Sequence, residues 1–269
     1  MMPLKLVAVD LDGTLLTREG KPAPQGLEML RTVSRSGIRV VFATARRYLP
    51  SDELYSQLGF PDPLICWDGG EIYHSFQRQI WQRNPIPLDV ARLILEFADR
   101  EHLEITVGYS ERLYWKQRPD QSGPPPSGIT VTESYTETLD DAPLRLLTGD
   151  SRSIMSLSEF CTHLPVGSCR VQSYVGSDGR IQSLGIFSSE ADKGKELAFV
   201  CSGLGISLSE VMAIGDNLSD QPMLVAVGVS VAVGNACEEL KVIADVIAPS
   251  NDDEGVAWAL RQHFEVDTP

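Results

Sequence analysis

Short apolar runs alternate with amphipathic stretches over the first 70 residues of the chain. Leu27, Leu30 and Val33 recur at helical spacing in one of these stretches, which Gly37 ends. The predicted elements are a strand at 4–9, a helix at 25–36, a strand at 38–43, a helix at 50–58 and a strand at 63–67. This βαβαβ order predicts a parallel sheet.

The middle of the chain has a different pattern, in which strand-like segments follow one another and favour antiparallel pairing. We expect helices at 88–100 and 151–163, strands at 104–109, 112–116 and 144–147, and a hairpin of 170–174 with 180–187 that turns at 176–179. Residues 118–128, rich in Pro and Gly, are expected to form a loop.

The α/β alternation resumes after Lys193. Strands are predicted at 211–214, 229–233 and 246–248, and helices at 194–201, 221–226, 238–244 and 254–263. The sequence therefore predicts an α/β protein in which a parallel-sheet core domain, residues 1–83 and 188–269, is split by an inserted α+β domain, residues 84–187.

Composition limits the classes of protein and partner. The longest uncharged apolar run, from Met223 to Val233, is shorter than the roughly 20 residues of a membrane span, and no signal peptide precedes the first strand. Five cysteines without C-x-x-C spacing argue against a disulfide framework or a zinc site, so we expect a cytoplasmic protein. A net charge of -14 argues against nucleic acid as a partner. No particular oligomeric state is predicted.

Two acids stand where the first apolar strand ends, at Asp10 and Asp12. In an extended backbone, residues two apart point the same way and lie about 6.6 Å apart. At an effective dielectric constant near 20, two carboxylates at that separation repel by about 2.5 kcal/mol. This repulsion predicts a cation between them.

The ends of the other predicted parallel strands also carry polar residues, and ligands bind at that edge of such sheets. Thr44 and Arg46 follow the second strand, Asp68, Gly69 and Gly70 follow the third, and Asp216, Asn217, Ser219 and Asp220 follow the strand at 211–214. Lys193 lies at the start of a predicted helix. The helix N-terminus carries partial positive charge, so a lysine there is unfavourable unless an anion lies nearby. Carboxylate oxygens are ligands that Mg²⁺ prefers. Together, Mg²⁺, Lys193 and Thr44 could bind a phosphoryl group.

At these positions the chain resembles the haloacid dehalogenase-like hydrolase superfamily. The four motifs are "DLDGTL" at 10–15, Thr44, Lys193 and "GDNLSD" at 215–220. The inserted domain resembles the type IIB cap of the Cof-like phosphatases, and "VAVGNA" at 231–236 and "NDDEGVAWAL" at 251–260 resemble their closing segments. The resemblance implies a Rossmann-like core, a cap, and a Mg²⁺-dependent phosphatase acting on a small phosphorylated metabolite such as a sugar phosphate.

The resemblance also implies the role of each residue. Asp10 would attack phosphorus and form an aspartyl-phosphate, while Asp12 would act first as an acid and then as a base. Mg²⁺ would be held by Asp10, the backbone carbonyl of Asp12 and Asp216, with Asp220 behind them. The residues that would bind or line the phosphoryl group are Thr44, Lys193, Asn217 and Ser219.

The chain departs from the subgroup at Ala45, where glycine is usual, and at Ser219, where asparagine is usual. The chain has Asp68-Gly69-Gly70 where Asn-Gly-Ala is usual. The carboxylate of Asp68 would repel an anionic leaving group but could accept hydrogen bonds from sugar hydroxyls. Two residue roles stay open: Arg46 is either a site residue or a surface charge, and Asp220 either supports the metal site or has no role except to cap the next helix. The function also has two alternatives, since the protein could be a phosphomutase or a non-enzymatic phosphorylation switch.

Overall fold

The computed structural model describes residues 3–49, 53–60, 62–74, 77–116, 128–175 and 179–264. The chain divides into two compact units, the core unit (residues 1–82 and 192–269) and the insert unit (residues 83–191). The inserted domain that the sequence predicts at residues 84–187 remains a prediction. No helix of the described residues has the length and apolar character needed to cross a membrane.

Fourteen strands and eight α-helices are found in the described residues. The strands are β1 (Leu6–Val9), β2 (Arg39–Ala43), β3 (Pro63–Cys66), β4 (Glu71–His74), β5 (Gln79–Arg83), β6 (Thr106–Gly108), β7 (Leu113–Trp115), β8 (Thr130–Val131), β9 (Arg145–Thr148), β10 (Arg170–Val175), β11 (Ile181–Phe187), β12 (Val211–Gly215), β13 (Val229–Ala232) and β14 (Val246–Ile247). The helices are α1 (Pro24–Arg35), α2 (Glu53–Leu58), α3 (Leu88–Arg100), α4 (Ser151–Thr162), α5 (Lys193–Leu204), α6 (Gln221–Ala226), α7 (Glu238–Ile243) and α8 (Gly255–His263).

One sheet of eight strands organises the core unit, in the order β14-β13-β12-β1-β2-β3-β4-β5. The strands from β14 to β3 are parallel to their neighbours, which confirms the predicted parallel sheet. The central strands β1 and β12 consist of apolar residues and glycine and are buried along their whole length, as is typical of strands covered on both faces. α1 packs against α8, and α5 packs against α6.

The edge formed by β4 and β5 was not predicted. β4 runs antiparallel to β3, and the reversal occurs at Trp67, Asp68 and Gly69, which all have positive φ. Non-glycine residues rarely adopt this left-handed conformation, so the sequence pattern gave no sign that the chain turns back here. The sheet therefore continues past the last predicted parallel strand.

The insert unit has a six-stranded sheet in the order β10-β11-β9-β6-β7-β8. Four of its strand pairs are antiparallel, as predicted, whereas β8, a strand that was not predicted, runs parallel to β7. Ile94 and Leu95 of α3 and Ile154 and Leu157 of α4 join one apolar cluster with residues of β6, β9 and β11. Most of the predicted loop 118–128 and of the turn 176–179 lies outside the described residues.

Tyrosines help to build the interior of the insert unit. Tyr135 is fully buried, donates its hydroxyl to the carbonyl of Leu103 and accepts a hydrogen bond from the backbone N–H of Ile105. The hydroxyl of buried Tyr109 donates to the carbonyl of Thr138. Because both buried hydroxyls have partners, these aromatic residues stabilise the core.

Helix α5 carries two glycines in contrasting surroundings, which give a matched test of its packing. A Cβ atom at Gly194 would overlap the carbonyl oxygen of Pro222, whereas a Cβ at Gly203 would meet nothing within 4 Å. We expect Gly194→Ala to lower the free energy of unfolding by about 1–3 kcal/mol because α5 and α6 must separate. Gly203→Ala should raise it by roughly 0.5 kcal/mol through helix propensity. Urea unfolding measures both; equal effects would contradict the packing described.

Candidate active site

The carboxyl end of β1 places Asp10 in the middle of the core sheet. The backbone N–H of Asp10 donates to the carbonyl of Ile214 at 3.0 Å, which extends the pairing with β12 by one residue. The chain then folds into a tight loop in which Gly13 has φ +81°. A Cβ atom at Gly13 would overlap the carboxylate of Asp216, so glycine allows the two loops to approach each other.

The loop after β12 supplies two more carboxylates, those of Asp216 and Asp220. Oδ2 of Asp220 accepts hydrogen bonds from the backbone N–H groups of Asp216, at 2.9 Å, and Asn217, at 3.0 Å. The side chain of Asp220 therefore closes its own loop and makes no capping hydrogen bond to α6, so the alternative that it only caps that helix is wrong. Its position is fixed by the fold of the loop.

Lys193, the first residue of α5, brings these carboxylates together. Its Nζ lies 2.7 Å from Oδ1 of Asp10, 2.6 Å from Oδ1 of Asp220 and 3.5 Å from Oδ1 of Asp68. The four side chains are almost completely buried. Buried charges require opposite charges close by, and one ammonium group here faces three carboxylates, which leaves an excess of negative charge.

Three carboxylates of this cluster could hold a divalent cation. One oxygen from each of Asp10, Asp216 and Asp220 lies within 4.8 Å of the others. The hydroxyl of Thr14 donates to Oδ1 of Asp216 at 3.1 Å and so orients that carboxylate. Both oxygens of Asp220 already accept hydrogen bonds, so Asp10 and Asp216 are the better ligands and Asp220 supports them from behind.

The electrostatics of the site follow from burial and mutual repulsion. Burial, together with the charge of Asp220, raises the pKa of Asp10 well above its usual value despite the opposing effect of Lys193. Burial and the same neighbour raise the pKa of Asp216 to about 7. Burial alone would lower the pKa of Lys193, but Asp10, Asp220 and Asp68 raise it well above its usual value. An additional cation would reduce the electrostatic repulsion among these carboxylates.

Asp12 lies outside the buried cluster and pairs with Arg46. The guanidinium group donates from Nε and Nη2 to the two oxygens of Asp12, both at 2.7 Å, and both side chains are partly exposed. Such a planar two-bond pair fixes orientation as well as charge. Arg46 is therefore directed at a candidate catalytic residue, which favours the site interpretation over a simple surface charge.

Thr44 lies at the end of β2, beside β1, and is completely buried. Its hydroxyl oxygen accepts a hydrogen bond from the backbone N–H of Arg46 at 3.1 Å, and its carbonyl accepts from the N–H of Asp68 at 3.0 Å. Thr44 therefore joins the loop after β2 to the loop after β3. Gly69, with φ +92°, approaches the backbone of Asp192 so closely that a Cβ atom would overlap it.

Two other predicted residues lie in the single turn after β12. The side-chain oxygen of Asn217 accepts a hydrogen bond from the N–H of Leu218 at 2.7 Å, so this side chain caps the turn that contains Ser219.

Asp68 was expected to face sugar hydroxyls, but its carboxylate is buried beside Lys193. The structure thus gives Asn217 and Asp68 structural partners in addition to the roles expected from the sequence.

Thr14 and Asn235 contact the site loops but were not among the candidate site residues. Nδ2 of Asn235 donates to the carbonyl of Gly13 at 2.8 Å, and its Oδ1 accepts from the N–H of Asn251 at 2.9 Å. Asn251 in turn donates to the carbonyl of Leu16 at 2.7 Å. Both asparagines belong to the closing segments noted above, and this was the available signal for their importance.

The chain is similar to known proteins over almost its whole length. Residues 7–260 match the model of a family described as haloacid dehalogenase-like hydrolase. The chain is 28% identical to the phosphatase YwpJ of Bacillus subtilis over 96% of this chain and 99% of that protein. It is 24% identical to the pyridoxal phosphate phosphatase YbhA of Escherichia coli over 98% of this chain and 100% of that protein.

A solved structure of a subclass IIB sugar phosphatase has a TM-score of 0.77 with this chain. The two chains are 18% identical, and the match covers 96% of this chain and 98% of the other. At 18% identity, this similarity is evidence for the fold alone. Together with the family match, it confirms the resemblance drawn from the four motifs and the inserted domain.

The two acids bonded to Lys193 should respond differently to neutralisation. Asp10→Asn removes a carboxylate whose raised pKa shows that its ionised form is unfavourable, so the free energy of unfolding should stay equal or rise. Asp220→Asn should lower it by about 2–4 kcal/mol because an amide cannot accept on both sides, and both oxygens of Asp220 accept hydrogen bonds. Urea unfolding in EDTA tests both. A destabilised Asp10→Asn with an unaffected Asp220→Asn would contradict the account.

Proposed function

Because this chain belongs to the haloacid dehalogenase-like hydrolase family, we propose that it is a Mg²⁺-dependent phosphatase that acts on a small phosphorylated metabolite. The observation that supports this most is the position of Lys193 Nζ, which contacts Oδ1 of both Asp10 and Asp220 inside the acid cluster. This arrangement supports the proposal because it would combine a nucleophilic carboxylate, a fixed cation and metal-binding oxygens at one point of the sheet edge. Phosphoryl transfer depends on positioning and charge stabilisation of this kind.

The donor set fits Mg²⁺, which prefers carboxylate oxygens and retains water and substrate oxygens among its ligands. Asp10 and Asp216 would hold the ion together with the backbone carbonyl of Asp12, and Thr14 would keep Asp216 oriented. When bound, Mg²⁺ would offset the negative charge of the phosphoryl oxygens and of the carboxylates around it. The residues of the chain perform the remaining steps.

In the first step, a carboxylate oxygen of Asp10 attacks phosphorus while the bond from phosphorus to the leaving oxygen breaks. Asp12 donates a proton to that leaving oxygen. In the second step, Asp12 takes a proton from water, the water oxygen attacks phosphorus, and the bond to Asp10 breaks. Lys193 and Thr44 would bind the phosphoryl oxygens, where negative charge is spread in the transition state, and Asn217 and Ser219 would line them.

The ion pair with Arg46 places a condition on this mechanism. Arg46 donates to both oxygens of Asp12, so in this conformation the guanidinium group engages both of them. The pair must open before Asp12 can act as an acid. We therefore assign Arg46 as a positioning residue that holds Asp12 until the substrate replaces one of the two partners.

The substrate class follows from the relatives and from charge. One relative is named for pyridoxal phosphate, and a structural neighbour is named as a sugar phosphatase, which favours small phosphorylated metabolites such as sugar phosphates. The net charge of -14 would repel a polyanion such as nucleic acid, whereas a single phosphate can be held by Mg²⁺ and Lys193. Family membership does not agree with a non-enzymatic phosphorylation switch. The cytoplasmic location stays a prediction.

Phosphate release from a panel of phosphorylated metabolites tests the proposal with the full chain. We expect hydrolysis of at least one substrate, loss of activity in EDTA and its return with Mg²⁺. Asp10→Asn should lose roughly 10³-fold or more of the activity because the nucleophile is gone. Glu239→Gln, the same change of acid to amide at an exposed position in α7, is the matched control. Hydrolysis that persists in Asp10→Asn, or that ignores EDTA, would overturn the mechanism.

A further inference from the structure

The loop that joins β3 to β4 has an uncommon backbone. Trp67 and Asp68 have φ values of +54° and +56°, a left-handed conformation that few residues other than glycine, asparagine and aspartate adopt. Two hydrogen bonds hold it in place. The N–H of Trp67 donates to the carbonyl of Arg46, and the N–H of Asp68 donates to the carbonyl of Thr44, both at 3.0 Å. Backbone of this kind is kept where the surrounding structure fixes it, and it is common at functional sites.

This loop contacts the start of α5 at two points. A Cβ atom at Gly69 would overlap the backbone of Asp192, so the two backbones lie in direct contact there. Oδ1 of Asp68 lies 3.5 Å from Nζ of Lys193, the residue that follows Asp192. The side chains of Asp68 and Lys193 are both buried. The loop therefore positions the side chain of Lys193 as well as the backbone that carries it.

The three carboxylates near Lys193 do not hold it equally. An ammonium group has three N–H donors, and Lys193 donates hydrogen bonds to Asp10 at 2.7 Å and to Asp220 at 2.6 Å. The distance of 3.5 Å to Asp68 is longer than an ordinary hydrogen bond, so this contact is a looser ion pair. Asp68 is therefore the carboxylate that Lys193 can leave with the smallest loss of binding energy.

The other two contacts of Lys193 have further constraints. Asp10 is the proposed nucleophile and must stay beside the phosphoryl group. Asp220 uses its second oxygen to accept hydrogen bonds from the N–H groups of Asp216 and Asn217, which fixes its position in the loop after β12. A phosphate oxygen that binds Lys193 is therefore expected to compete with Asp68 for the remaining N–H donor.

We propose that Asp68 is a positioning residue that holds the ammonium group of Lys193 in the phosphate-free protein and competes with phosphate for it. The proposal rests on the proposed phosphatase function, because it concerns the phosphate that this reaction releases. A bound phosphate would satisfy Lys193 in place of Asp68, and the negative charge of Asp68 would repel that phosphate. Asp68 therefore weakens phosphate binding and speeds release of the product. Asparagine, which is usual at this position in the subgroup that the chain resembles, would lack this effect.

Calorimetric titration of the full chain with inorganic phosphate in the presence of Mg²⁺ tests this role. Asp68→Asn keeps the size of the side chain and tolerates the left-handed backbone, but it removes the charge. We expect its Kd for phosphate to fall about 10-fold relative to the wild type, because a repelling charge close to the phosphate is gone. Glu239→Gln, which removes one negative charge at an exposed position of α7, is the matched control and should leave this Kd unchanged.

The direction of the change separates this role from a merely structural one. Loss of a residue that only supports the loop would displace Lys193 and raise the Kd for phosphate, whereas loss of a competitor lowers it. Inhibition of hydrolysis by added phosphate should strengthen by the same factor in Asp68→Asn. If circular dichroism shows that Asp68→Asn is unfolded, the titration is made with Asp68→Gly, which also permits positive φ and lacks the charge.

The proposal fails if the Kd for phosphate is unchanged or higher in the folded variant, or if neither the variant nor the wild type binds phosphate. Absence of hydrolysis across the metabolite panel would instead overturn the proposed function. The phosphate titration requires no turnover, so it decides the role of Asp68 in either case.

Discussion

The structure of the site depends on one buried ammonium group. Lys193 stands at the first position of α5, and its Nζ contacts Asp10 and Asp220 at hydrogen-bond distance and approaches Asp68. Without it, the buried carboxylates of Asp10 and Asp220 would lose the ammonium group that both contact, and loss of one partner from a buried ion pair costs several kcal/mol. The carboxylates of Asp10, Asp216 and Asp220 outnumber this one ammonium group, and their oxygens lie close enough together to suit a divalent metal.

The backbone around Lys193 is built to permit this concentration of charge. Gly13 and Gly69 let loops approach where a Cβ atom would overlap a neighbour, and Asp220 uses one oxygen to close the loop after β12 and the other to bind Lys193. Asn235 fastens the Gly13 loop from a distant part of the chain. The same residues therefore provide both the rigidity of the loops and the geometry of the site, so changes to them should alter stability and chemistry together.

The sequence predicted the meeting of Asp10 and Asp216 because parallel strands end at one edge of the sheet. Lys193 was predicted to join them because a lysine at the start of a helix is unfavourable unless an anion is near. The partners of Thr14 and Asn235 could not be predicted in this way, since side-chain bonds between loops more than 200 residues apart depend on tertiary packing. The β4–β5 edge was missed because it requires left-handed backbone at non-glycine residues. Strand β8 was missed because two exposed residues are too few to show an alternating pattern.

The most direct test of this account is the pH dependence of unfolding of Lys193→Met in EDTA. Acids whose pKa is raised by folding bind more protons in the folded state, so their contribution to stability falls as pH rises. Removal of Lys193 should raise these pKa values further, and the deficit relative to wild type should grow by about 1–3 kcal/mol from pH 5 to pH 8. Exposed Lys195→Met in the same helix should show no such trend. A deficit that is absent, or equal at both pH values, would contradict the role of Lys193.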